Sequence, residues 1–178
     1  MSAYSAGHNK GSTFTVKLPL MTARNNPTAA GLERKQAKTT PEIPIDCSPT
    51  LEGLSLLIVE DEPDTRELLT TIFQGCKAQV RGVASPVEAI NLLKQWTPDV
   101  LISDIQMSGE DGYSLIRKVR QTEFNGASRL PAIALTAHAR VDDRVRALSA
   151  GFDAHIAKPV EPAELIMIVA SLASRDGV

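Results

Sequence analysis

Leu54-Ser55-Leu56-Leu57-Ile58-Val59-Glu60-Asp61-Glu62-Pro63 is a short apolar run that ends abruptly in three acids and a proline. Consecutive apolar positions over so short a length fit a strand covered on both faces, as in a parallel sheet. Pro63 suits the first turn of a helix, and Leu68, Leu69, Ile72 and Phe73 carry that helix to a stop at Gly75. The same strand-then-helix alternation repeats downstream. Ala78 to Val83 reads as a second strand, and Ser85 is placed to cap a helix through Ala89, Ile90 and Leu93 that Thr97-Pro98 stops. Val100-Leu101-Ile102 is the third strand and runs straight into Asp104; a helix follows Gly112, with Ile116 and Val119 inward. Ile133-Ala134-Leu135 is the fourth strand, and Val141 to Ala150 the fourth helix, closed by Gly151. Ala154 to Ala157 is a brief fifth strand, and Glu161 to Leu172 the last helix, with Leu165, Ile168, Val169 and Leu172 on one face. The alternation predicts an α/β fold, a doubly wound five-stranded parallel sheet with helices on both sides.

Composition agrees with a folded domain plus an appendage. Of 178 residues, 43% are hydrophobic and 22% charged, which excludes a chain disordered throughout. A net charge of -2 and an aromatic content of 4% argue against nucleic-acid binding, which needs a basic field or base-stacking rings. No apolar run reaches the roughly 18–20 residues of a membrane span, and the polar start lacks the apolar core of a secretory signal. Cys47 and Cys76 stand far apart and outside any CxxC spacing, so neither a disulfide framework nor a zinc site is expected, and a cytoplasmic location is. Cys76 then reads as a small buried filler, Cys47 as linker, and Trp96 as packing at a helix end.

Ahead of Leu54 the sequence changes character. Phe14, Val16 and Leu18 alternate with polar residues up to Pro19, a half-buried strand preceded by the turn Gly7-His8-Asn9-Lys10-Gly11. Nothing before it is expected to supply a pairing partner. Residues 21–53, broken by Pro27, Pro41, Pro44 and Pro49, read as a flexible linker.

In open α/β sheets the chemistry gathers beyond the carboxyl ends of the strands. Those ends carry Glu60 and Asp61, Asp104, Thr136 and Lys158. Three carboxylates close together repel and need a cation to stay ionised. Oxygen-only ligands favour a hard ion, and Mg²⁺ binds a few carboxylates while keeping several waters. Asp104, between the acidic pair and the Thr136/Lys158 side, is the candidate nucleophile toward phosphorus, with the ammonium and hydroxyl placed to hold a phosphoryl group. Taken alone, Glu60-Asp61-Glu62 is equally readable as acids favoured at a helix start; the matching residues on the other strands decide for a site. His138 and His8 lack companions at ligand spacing and read as loop residues.

Val59-Glu60-Asp61-Glu62-Pro63, Ser103-Asp104-Ile105-Gln106-Met107, Ala134-Leu135-Thr136-Ala137-His138 and Ala157-Lys158-Pro159 together resemble a response-regulator receiver domain, here over residues 54–174. The resemblance implies the flavodoxin-like strand order 2-1-3-4-5, a fold for which a receiver is a standard example. It also implies that Asp104 is the phospho-acceptor and takes a phosphoryl group from phosphohistidine. Glu60, Asp61, Asp104 and the backbone carbonyl of Gln106 would hold Mg²⁺, and Lys158-Pro159 would be a cis peptide. Thr136 and Lys158 would assist the chemistry, and Thr136 and the residue at His155 would form the switch that alters a protein-contact surface. Implied partners are a histidine kinase or a histidine phosphotransfer protein, with no direct nucleic-acid contact; a homodimer is compatible.

Residues 1–20 resemble the closing hairpin of a histidine-kinase ATPase domain, which makes the chain the C-terminal part of a hybrid sensor histidine kinase. The fragment itself, lacking the kinase's nucleotide boxes and histidine helix, is expected neither to bind ATP nor to autophosphorylate. Three positions depart from the receiver pattern. Ser108 stands where proline is usual and is expected to loosen the loop without touching the chemistry. Glu110 adds negative charge near the site. His155 replaces the usual aromatic, either as a retuned switch or as a tolerated exposed side chain. The alternative function is a receiver-like interaction module that is never phosphorylated.

Overall fold

The computed structural model describes residues 2–5, 7, 11–15, 47, 49–122, 129–137 and 140–174. The chain divides into two units, Met1–Pro41 and Glu42–Val178. In the first, β1 (Ser2–Ser5) and β2 (Ser12–Thr15) form an antiparallel pair with Ser2 opposite Thr15 and Ser5 opposite Ser12. The partner that the sequence was expected to lack is thus supplied by the first residues of the chain. Ladder bonds come from the backbone, so a segment with no apolar pattern can provide them. Val16, Leu18, the stretch 21–46, His8 and His138 lie outside the described residues.

The second unit alternates β3 (Ser55–Val59), α1 (Pro63–Gly75), β4 (Gln79–Val83), α2 (Pro86–Leu93) and β5 (Val100–Asp104). It continues through α3 (Gly112–Gln121), β6 (Ala132–Thr136), α4 (Val141–Ala150), β7 (Ala154–Ala157) and α5 (Pro162–Ala173). All five strands run parallel in the order β4-β3-β5-β6-β7, which is 2-1-3-4-5 counted within this sheet. Successive side chains of a strand point to opposite faces, and the core divides accordingly. Leu56, Ile58, Ile102 and Leu135 pack with Leu69, Phe73, Leu165 and Val169 of α1 and α5. Leu57, Val59, Leu101 and Ala134 face Leu93, Leu115, Ile116 and Ala147 of α2, α3 and α4. Both faces of β3, β5 and β6 are therefore dry, which is why their sequences are continuously apolar. In α5 the buried positions are Leu165, Ile166, Val169 and Leu172. Ile168 is only partly buried against the same cluster.

Local chemistry sets the helix ends. Ser85 caps α2 by accepting from the Glu88 N–H at 3.3 Å, and Asp111 caps α3 by accepting from the Ser114 N–H at 2.8 Å. Gly75 ends α1 as expected, but the left-handed residue of that turn is Lys77, with φ 66°. Trp96 packs against the second core cluster with the Arg81 guanidinium 4.5 Å from its ring centroid.

Two expectations fail at the other end of the domain. The packed unit does not start at Leu54: Leu51 is fully buried in the α1/α5-side core, and its N–H donates to the Cys76 carbonyl at 3.1 Å. Burying one leucine is worth about 2 kcal/mol, reason enough for this segment to leave the linker. Cys47 and Cys76, 29 residues apart, form a disulfide with Cα atoms 5.1 Å from each other. Cys76 is buried as expected, but it is bonded rather than a mere filler, and Cys47 packs on the core. Sequence spacing is silent on such a bond because its closure depends on where the lead-in segment docks. Among the described residues no helix is long and apolar enough to cross a membrane.

Candidate functional site

The parallel register brings the strand ends level. Val59 lies opposite Val83 and Ser103, Asp104 opposite Leu135, and Thr136 opposite Ala157. Glu60, Asp61, Asp104, Thr136 and Lys158 consequently emerge on one rim. Glu60, Asp104 and Thr136 are buried there, and Asp61 is partly exposed.

Lys158 holds the group together. Its Nζ donates to Glu60 Oε2 and to Asp104 Oδ2, both at 2.7 Å, and its backbone N–H donates to the Thr136 carbonyl at 2.6 Å. The following Lys158-Pro159 bond is cis. Burial alone would depress the ammonium's pKa, but the bonds to Asp104 and Glu60 outweigh it and the net shift is upward. Burial likewise pushes the Glu60 carboxyl up, with help from the neighbouring Asp104 charge, while Lys158 opposes the rise. Asp61 is different. Its Oδ2 accepts from both the N–H and the hydroxyl of Ser108, each at 2.8 Å. Those two bonds hold its carboxyl below the ordinary aspartate range.

Asp104 is fixed from several sides. The Gln106 N–H donates to its Oδ1 at 3.1 Å, and the Ser103 hydroxyl donates to its carbonyl at 2.8 Å. Gly112, the first residue of α3, presses on the same peptide: a Cβ there would sit 2.3 Å from the Asp104 carbonyl oxygen. On the other side, Arg66 Nη1 donates to the Glu60 carbonyl at 2.6 Å and the Asp61 carbonyl at 3.3 Å, pinning the acidic turn to α1. Thr136 Oγ1 and His155 Nε2 are 2.8 Å apart, so His155 is a half-buried hydrogen-bond partner and not a bystander. A cleft of about 210 Å³ opens beside the rim, bordered by Gln106, Asp111, Tyr113, Thr136 and Arg146, with the Arg146 guanidinium 4.6 Å from the Tyr113 ring centroid.

The carboxylates of Glu60, Asp61 and Asp104 each place an oxygen within 4.8 Å of the others. Opposite ligands of a Mg²⁺ ion lie about 4 Å apart. The donor set is all oxygen, and three anions are balanced by one ammonium. The residues therefore fit a hard divalent ion that keeps some of its water.

Some of this was missed in the sequence. Ser108 does touch the chemistry, because a serine offers Asp61 two donors where a proline would offer none; the departure itself was the signal. Glu110 does not lie free near the site but pairs with Lys118. Arg66 and Gly112 carried no signal beyond helix and turn propensity.

Residues 56–170 match the family described as response regulator receiver domain. The chain belongs to this family. It is a receiver of two-component phosphorelay signalling. Among curated relatives it is 44% identical over 120 residues to an uncharacterized 14.6 kDa protein of Leptolyngbya boryana, covering 67% of this chain and 90% of that one. It is 32% identical over 127 residues to the sensor protein GacS of Pseudomonas syringae pv. syringae, covering 70% of this chain but only 14% of GacS. A solved receiver domain of the Pseudomonas aeruginosa sensor histidine kinase PA1611, which has magnesium in its active site cleft, superposes with a TM-score of 0.62 at 32% identity. That match covers 68% of this chain and 98% of the other.

Proposed function

We propose that Asp104 is the residue that takes the phosphoryl group, from a phosphohistidine on a histidine kinase or histidine phosphotransfer protein. The observation that carries this reading is the Lys158 ammonium seated 2.7 Å from both Glu60 and Asp104 on a rim with a third carboxylate. In the transfer, an Asp104 oxygen bonds to phosphorus as the donor's N–P bond breaks, and the imidazole leaves with its electron pair. The Gln106 N–H aims the carboxylate. Lys158 is placed to follow the charge onto the phosphoryl oxygens, and the Thr136 hydroxyl to donate to one of them in place of its contact with His155. Glu60, Asp61, Asp104 and the Gln106 carbonyl would hold Mg²⁺, which supplies positive charge against the crowded anions. A phosphoryl group on Asp104 carries about two negative charges on its oxygens, about one more than the free carboxylate held, enough to draw Thr136 and change the surface formed by α4, β7 and α5.

The non-phosphorylated alternative is weaker, because a pure docking module has no use for a half-buried lysine shared between two buried carboxylates. We also read the chain as the receiver part of a hybrid sensor kinase, supported by the Ser2–Thr15 hairpin and the likeness to GacS and to the PA1611 receiver. An ATP-dependent donor is the ground for expecting it in the cytoplasm. The test of the acceptor is incubation of the full chain with a small acyl phosphate and Mg²⁺. One acid-stable, base-labile adduct is expected, absent in Asp104→Asn and absent after chelation. An adduct retained by Asp104→Asn overturns the assignment.

A further inference from the structure

The disulfide lies at the far end of the domain from the acceptor. α1 leaves the rim at Pro63 and ends at Gly75, so its 13 residues carry the chain about 20 Å to the edge where β4 begins. Cys76, the residue after α1, is 1% exposed and sits in the core cluster with Phe73 and Leu51, whereas Cys47 is only partly buried. The two sulfurs are thus unequal toward any reagent arriving from solvent. A thiolate attacks along the S–S axis and needs access to the sulfur it bonds. Only the Cys47 side offers that.

We infer that Cys47 is a thiol-exchange site, open to a small thiol of the glutathione class, and that its opening loosens the lead-in segment without disturbing the phosphoryl site. The attacking thiolate bonds to Cys47 Sγ, the Cys47–Cys76 bond breaks, and Cys76 leaves as a thiolate that takes up a proton. A second thiolate then releases Cys47 and carries the first thiol away as a small disulfide. Opening frees the chain at Cys47 but leaves Leu51 in the core and its N–H on the Cys76 carbonyl. The segment released is short. The effect falls on the corner between α1 and β4, where the Glu52–Lys77 ion pair at 3.2 Å is a further tie. In a reducing compartment an intrachain disulfide of this kind is transient and serves redox sensing.

The experiment uses the full chain, air-oxidised and native. Iodoacetamide without reductant is expected to label neither cysteine. Graded reduced glutathione is expected to give a mixed disulfide that peptide mapping places on Cys47, together with a melting midpoint lowered by about 10 °C. Cys76→Ser is expected to take a glutathione adduct at Cys47 from oxidised glutathione. In Cys47→Ser, Cys76 should alkylate at least ten times more slowly than Cys47 does in Cys76→Ser. Adduct formation on Asp104 from acyl phosphate is expected to be unchanged between oxidised and reduced protein; a loss confined to the reduced protein overturns the proposal, whereas no adduct in either state speaks against the acceptor and not against this site. Two free thiols in the air-oxidised chain, or a glutathione adduct on Cys76, overturn the proposal.

Discussion

The two edges of the sheet handle carboxylates in opposite ways. At the edge where the strands begin, Asp99 accepts from the N–H and hydroxyl of Ser55, both at 2.7 Å. Asp153 accepts from Arg120 at 2.8 Å and from the Ala132 N–H at 2.9 Å, and pairs with Arg129 at 3.0 Å. Each acid there has its own donors and closes a strand to its neighbour. At the rim where the strands end, three acids crowd together and two of them share one ammonium. The first edge spends its charge on holding the fold; the second keeps an excess of negative charge poised for a cation and a phosphoryl group. The covalent bond between Cys47 and Cys76 belongs to the holding edge.

If that division is right, perturbing one edge leaves the work of the other intact. The largest effect is expected from Cys47→Ser/Cys76→Ser. Losing a bond that closes 29 residues should cost about 3–4 kcal/mol in denaturant unfolding, with no change in the rate of phosphoryl uptake. A matching fall in uptake would break the comparison. Gly112→Ala comes next. Its Cβ meets the Asp104 carbonyl at 2.3 Å, so relief requires moving the Asp104 peptide, which carries the proposed acceptor. Overpacking of this kind costs about 1–3 kcal/mol, and phosphoryl uptake should drop at least tenfold, measured with the same acyl phosphate. Stability and chemistry then fail together, which only the rim should show.

Ser108→Pro should be smallest in stability and sharpest in pH dependence. Proline removes both donors to Asp61, so the carboxyl moves up toward its ordinary value of 3.8. A carboxylate held low contributes stability that is complete above its unfolded pKa and lost as pH falls through the folded one. The wild-type chain should therefore hold this contribution in full above 3.8 and lose it on further acidification, while Ser108→Pro has none to lose. Melting midpoints from pH about 6 down to about 3 would show the two curves converging at the acid end. Parallel curves would mean that Ser108 does not hold Asp61. Weaker retention of Mg²⁺, read by titration of Trp96 fluorescence, is expected to accompany the change.

Much of this architecture was written locally. Continuous apolar runs announced β3, β5 and β6 because both faces of those strands are dry, and Pro63 and Ser85 marked helix starts through chemistry confined to one turn. The strand-end rule then named Glu60, Asp61, Asp104, Thr136 and Lys158 before any contact was known. Chain order plus a parallel register is enough to put strand ends level. His155 was half legible: the family resemblance implied its role with Thr136 in a switch, but not the hydrogen bond between the two.

What the tertiary structure alone decided are contacts between segments whose approach depends on how loops and helices fold back over the sheet. Ser108 reaches Asp61 across 47 residues, Gly112 rests on the Asp104 peptide because α3 starts directly against β5, and Cys47 finds Cys76 because Leu51 docks into the core. Residue type and periodicity fix which face of an element is wet or dry. They do not fix where two distant segments touch, since that is set by the packing of whole elements and by the entropy their burial overcomes.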